Sequence, residues 1–298
     1  MKMIYLMLLL SCSTVEQKDP APADISLVKE KLETLHEEAG EDSIYNGWML
    51  DGCDSMLFQG KYQATAGALP LDPRTAQLSG EAGRFFRRGS KPCNLDGKDV
   101  GSKTTWSRDM GIGLIYWAYR TKNLSVLADH FNYGKAHNWQ MGKPLDDGRV
   151  IYTPNIISLL SNAIVSLGGS SSLHQKWPTI YPSGLKSYQA HLQVLQIALR
   201  GEIATNKVDK PQKPEAELNM SISGSMYRRL EEHSKREPKN PLYQAVYGKY
   251  SGDMQPAIDA CLDGYTEEDS RCGTEEHGCQ IAEIAFACDF VIRVFEGK

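Results

Sequence analysis

Three stretches of this chain gather acids, arginines and tryptophans at spacings that could do chemistry. The first is Trp48-Met49-Leu50-Asp51-Gly52-Cys53-Asp54-Ser55. Asp51 in a turn and Asp54 at a helix start can face one cleft. Carboxylates that share a cleft split their pKa values, and one serves as general acid while the other serves as base. Asp51 and Asp54 are therefore the candidate catalytic pair, with capping of a turn and a helix as their plainer role. The second stretch runs from Thr104 to Gly113 and contains Trp106, Arg108 and Asp109. An indole covers the C–H face of a sugar ring, while a guanidinium and a carboxylate satisfy its hydroxyls. Gly111 and Gly113 would let a neighbouring helix or a ligand come close. The third is Asp146-Asp147-Gly148-Arg149-Val150-Ile151-Tyr152-Thr153-Pro154. Asp-Gly reads first as a turn, and adjacent acids also suit a calcium ion or a catalytic cleft.

Trp48, Asp147 and Tyr152 join the list of candidate substrate contacts on this basis. Arg88, from the run Arg84-Phe85-Phe86-Arg87-Arg88, offers bidentate contacts to an anionic glycan, or belongs to a solvated basic loop. His191 lies mid-helix beside Tyr188 and can face an interior; a satisfied core histidine is its plainer reading. His130 and His137 lack a third matched ligand for zinc, so no metal and no cofactor are expected. The chain has no Gly-x-Ser-x-Gly elbow, P-loop, dinucleotide fingerprint or His-Glu-x-x-His motif.

Trp106-Ser107-Arg108-Asp109 resembles the Trp-x-Arg-Asp motif of glucoamylase-like glycoside hydrolases, whose catalytic domains are (α/α)6 barrels. The resemblance covers these four residues and the helix that follows. It implies that Arg108 and Asp109 hold sugar hydroxyls in the reaction subsite and that Trp106 shapes its wall. The expected function is glycoside hydrolysis of a carbohydrate substrate by paired carboxylates. A polysaccharide lyase on the same architecture, with Arg neutralising a uronate, stays open. So does a non-catalytic lipoprotein that binds a glycan or a protein.

The elements that must position these residues read as helices. The chain has 298 residues and a net charge of −4, so it can bury a sizeable core and lacks the basic surface that nucleic acid requires. Lys2 and the apolar run Met3 to Leu10 precede Leu9-Leu10-Ser11-Cys12, which is similar to the bacterial lipobox. That similarity implies a signal over 1–11, a lipidated Cys12 that anchors the chain to a membrane, and a polar tether over 12–23. Plain secretion is the alternative. With Cys12 aside, Cys53, Cys93, Cys261, Cys272, Cys279 and Cys288 form an even set, as expected of disulfides in an exported protein. The C-terminal four favour links between the last two helices over zinc, for want of a tight Cys-x-x-Cys pair. Apolar spacing then predicts helices from Asp24 to Gly40, after Thr105 or Ser107, after Asn123, from Pro154 to Leu167, and from Gly184 to Gly201. Further helices are expected over 225–235, 242–250, 254–262 and 280–295. Strand signals are sparse. Helical hairpins with long loops on one face point to a single all-α domain over 24–298, an α/α toroid that is incomplete or (α/α)6 barrel-like.

Overall fold

The computed structural model describes residues 22–39, 44–45, 48–49, 81–85, 94–95, 98–99, 106–142, 149–170, 180–205, 222–263 and 281–296. Helices dominate these residues: α1 Pro22–Ala39, α2 Arg108–Arg120, α3 Leu124–Ala136, α4 Pro154–Ser166, α5 Ser187–Thr205, α6 Gly224–Arg236, α7 Pro241–Ser251, α8 Gln255–Asp263 and α9 Ile281–Phe295. Their ends obey local chemistry. The side chains of Asn123, Ser223 and Asn240 accept from backbone N–H groups in the first turns of α3, α6 and α7. Pro154 and Pro241 occupy first-turn positions where no N–H is needed. Gly252 ends α7 in the left-handed conformation at φ 82°.

Each helix from α2 to α9 packs on its chain neighbour. In addition α2 packs across on α4 and α5, α5 packs on α7, and α7 packs on α9. The first helix lies against α8 and α9, so the two ends of the described chain meet, with a Lys29–Glu296 ion pair of 2.7 Å across them. The buried side chains form one continuous core. Helix α2 is buried from Asp109 to Tyr119 and α5 from Ala190 to Leu199, as befits helices that are covered on most sides. Cys261 on α8 and Cys288 on α9 form a disulfide with Cα atoms 5.6 Å apart, a link between the last two helices.

Three two-stranded antiparallel hairpins add to the helices: β1 Ile44–Tyr45 with β2 Trp48–Met49, β3 Asn94–Leu95 with β4 Lys98–Asp99, and β5 Gln140–Gly142 with β6 Val150–Ile151. The last of these lies where the sequence carries no strand signal. Its strands pair Gln140 with Ile151 and Gly142 with Val150, and Tyr152 N–H donates to the Trp139 carbonyl at 3.0 Å. Residues 137–139 between α3 and β5 form a turn, with Asn138 and Trp139 at positive φ. No helix among the described residues is long and apolar enough to cross a membrane.

Candidate functional site

A cleft of about 610 Å³ opens where the start of α2, the junction of β6 with α4, the segment 180–185 and one face of α5 meet. Pro154, Ile156, Ile180, Pro182, Leu185 and Leu192 give it an apolar body. Its polar lining comes from Arg108, Thr153, Asn155, Tyr181, Gln189, Gln193 and Gln196, of which Arg108 alone is charged. Apolar walls with a few convergent polar groups are the usual make-up of a ligand pocket.

Arg108 is the first residue of α2, and a rigid platform holds it. Trp106 is 1% exposed, so its indole is wall material rather than a sugar platform. Its Nε1–H donates to the Tyr152 hydroxyl at 3.2 Å. That hydroxyl lies 2.8 Å from His130 Nε2, and His130 Nδ1 lies 2.8 Å from the Gly83 carbonyl. A carbonyl only accepts, so Nδ1 carries the proton, Nε2 is bare, and Tyr152 donates to it. The Trp106 N–H, the Tyr152 hydroxyl and both His130 nitrogens thus all have partners. Burial holds His130 neutral, with its pKa lowered to about 4, and pushes the Tyr152 hydroxyl well above its usual range. The close approach needs Gly111: a Cβ there would overlap the Tyr152 hydroxyl. Asp109 is buried behind the same wall and does not line the cleft. It accepts from the Ser107 hydroxyl and from Met110 N–H, a first-turn role favoured by the helix dipole. Arg108 itself donates from Nε to the Ile151 carbonyl at 3.1 Å, which ties α2 to the β5–β6 hairpin.

The facing wall is α5. Gln193 is fixed at both ends: its Nε2 donates to the Pro182 carbonyl at 3.1 Å, and its Oε1 lies 2.7 Å from His233 Nε2. Arg236 donates to His233 Nδ1 at 2.8 Å, so Nε2 bears the proton and donates to Gln193. Burial and the neighbouring Arg236 charge lower the His233 pKa to about 4. Gln196, one turn further on, is 7% exposed, and its Oε1 has no partner among the described residues. Tyr181 sits beside Arg200, and burial pushes its hydroxyl up to about 12.

Comparison of the chain with family models, with curated proteins and with solved structures returns no match. Of the substrate contacts expected from sequence, Arg108 lines the cleft; Trp106, Asp109 and Tyr152 stand behind it as support. His191 is buried within α5 and is not part of the lining. Asp51, Asp54, Arg88, Asp147, Cys12, Cys53, Cys93, Cys272 and Cys279 lie outside the described residues, and of Trp48 only the β2 backbone is described. Among the described residues no three His, Cys, Asp or Glu side chains gather to hold a metal ion. The glutamines were missed. Their signal is visible in hindsight: Gln193 and Gln196 interrupt the apolar run Leu192 to Leu199 on a helix buried there throughout.

A second polar cluster, also unforeseen, lies at the other end of α2. Glu202 on α5 accepts from the Tyr116 hydroxyl, lies 2.8 Å from Arg120 Nε, and accepts from Arg120 Nη2 at 3.2 Å. Arg293 pairs with Asp289 at 3.0 Å on α9, within electrostatic reach of Arg120 and Glu202. Lys249 on α7 lies 5.1 Å above the Phe290 ring, and burial lowers its pKa. Burial and the Glu202 charge raise the Tyr116 hydroxyl well above its normal range.

Proposed function

We propose that this chain recognises a glycan in the cleft between α2 and α5. One observation carries the reading: Arg108, the residue that the Trp-x-Arg-Asp resemblance marks as a sugar ligand, is the only charged side chain in the lining among the described residues. Apolar walls meet the C–H faces of a sugar, and the amides of Gln189 and Gln196 suit its hydroxyls. Among the described residues no carboxylate lines the cleft, and Asp109 lies behind its wall.

Glycoside hydrolysis is the second reading. It rests on Asp51 and Asp54, whose spacing suits an acid and base, and on the same motif. The matching architecture would be an incomplete α/α toroid, for which the packing of each helix on its chain neighbour from α2 to α9 speaks. Export and anchoring through Cys12 belong to the same proposal. The Cys261–Cys288 disulfide supports export, since such bonds persist in oxidising compartments. Mass spectrometry of the mature N-terminus tests the anchor, and an unmodified Met1 removes it.

The functional test is a calorimetric screen of the purified chain against cell-wall, capsular and storage polysaccharides, with parallel assay of reducing ends and unsaturated uronates. Binding without product supports recognition alone. Product that disappears in Asp51→Asn or Asp54→Asn, with binding retained, supports hydrolysis. Failure to bind any glycan ends both readings.

A further inference from the structure

We infer that the ligand of this cleft carries a carboxylate held by Arg108 and an O–H or N–H group that donates to Gln196 Oε1. On the glycan reading above, on which this identification of the ligand class rests, the ligand is an acidic sugar of the uronate type.

The argument begins with what the fold leaves unused. Arg108 gives its Nε–H to the Ile151 carbonyl and has no carboxylate partner among the described residues. Its terminal Nη1 and Nη2 remain, the end-on fork that takes both oxygens of a carboxylate. Among the described residues every other lining group is neutral, so none of them compensates the guanidinium. The position also opposes the helix dipole, which disfavours a cation in the first turn of α2. An arginine serving only the fold would gain more at the other end of the helix.

Gln196 gives an independent observation. Buried carbonyls are normally satisfied, because an unmet acceptor loses its hydration without return. Gln193, three residues earlier in the same wall, follows that rule at both ends of its amide. Gln196 does not: its Oε1 is buried and has no partner among the described residues. The terminal amide torsion of glutamine is broad, so a small rotation presents Oε1 to a group settling in the cleft. A guanidinium without a counter-ion and an acceptor without a donor, in one apolar hollow, specify a ligand with the complementary pair. The apolar body between them suits a ring.

The test is titration calorimetry of the full chain with trigalacturonate, its methyl ester, maltotriose and 4-hydroxyphenylacetate, a non-sugar bearing the same two groups. Trigalacturonate is expected to bind about tenfold or more tighter than its ester, since a charge-assisted pair is lost in the ester. Salt weakens the acid arm and leaves the ester unchanged. Arg108→Gln abolishes the preference. Gln196→Met weakens acid binding by roughly tenfold and raises the thermal midpoint, a combination that a structural glutamine does not give. Equal binding of acid and ester, or undiminished acid binding by Gln196→Met, overturns the inference. Neutral sugars that bind where neither acid does overturn it too, and leave the glycan reading in place. Arg108-dependent binding of 4-hydroxyphenylacetate alone upholds the carboxylate and donor assignment and removes the sugar.

Discussion

Helix α2 begins and ends with an arginine, and the two are treated in opposite ways. Arg120 at its C-terminal end meets Glu202 through two nitrogens, at 2.8 and 3.2 Å, and sits where the helix dipole favours a cation. Tyr116, Asp289, Arg293 and Lys249 surround the pair from α2, α9 and α7. Arg108 at the N-terminal end meets one neutral carbonyl and faces a cleft. The same residue type is fully used by the fold at one end and left available at the other. Packing accounts for Arg120; it does not account for Arg108.

The largest expected effect is at the paired end. Glu202→Ala leaves Arg120 and the Tyr116 hydroxyl without their acceptor in a buried setting and should cost about 3–5 kcal/mol in urea unfolding. The double variant Arg120→Met with Glu202→Leu should recover much of that loss, because the cost lies in stranding a charge rather than in removing a pair. A double variant as unstable as the single one would show that the pair contributes more than mutual neutralisation. Helix α9, which supplies Asp289 and Arg293, is also stapled through Cys288. The bridge closes a loop of 27 residues, for which the chain-entropy relation gives roughly 3–4 kcal/mol. Unfolding with and without reductant measures it. A Cys261→Ala/Cys288→Ala variant as stable as the parent would sever the link between the staple and this end of the bundle.

Sequence conveyed the helices well and the cleft poorly, for physical reasons. Pro154 after Thr153, Asn123 before Leu124, and the apolar spacing of Ile156, Leu159, Leu160 and Ala163 state helix starts and buried faces locally. The hairpins escaped because strands of two or three residues are too short for alternation to be read. The dipeptides Asn46-Gly47 and Asp96-Gly97 between the first two strand pairs were the available signal. Trp106 and Asp109 in one stretch and Tyr152 in another are expected substrate contacts; the structure brings Trp106 and Tyr152 together, but behind the wall. Residue type announces the capacity to bind sugar; only burial tells whether a side chain faces the ligand or supports the one that does. Gln193 and Gln196 show the converse, since nothing in their identity distinguishes the satisfied amide from the open one.

The platform beneath Arg108 predicts an acid response. His130 is neutral when folded, with its pKa lowered from 6.5 to about 4 by burial. Below pH 6.5 the unfolded chain takes up a proton there and the folded chain does not. Stability is therefore full above that pH, declines as pH falls to 4, and loses about 3 kcal/mol over the window. His233, lowered in the same direction, adds to the slope. Unfolding free energies measured from pH 7.5 to 4 should show the decline, and His130→Gln should flatten its share. An unchanged slope in that variant would mean that protons enter elsewhere.

The smallest expected effect is the one on which the contrast turns. Arg108→Ala removes a single hydrogen bond to the Ile151 carbonyl, together with a cation placed against the dipole, so the two changes oppose each other. The net cost should stay within about 1 kcal/mol, whereas Arg120→Ala, by stranding Glu202, should cost several times more. Thermal and urea unfolding of the two variants side by side measure the asymmetry directly. If truncation at 108 destabilises the chain as much as truncation at 120, Arg108 is a strut between α2 and the β5–β6 hairpin, and the cleft loses the one charge that argues for a ligand.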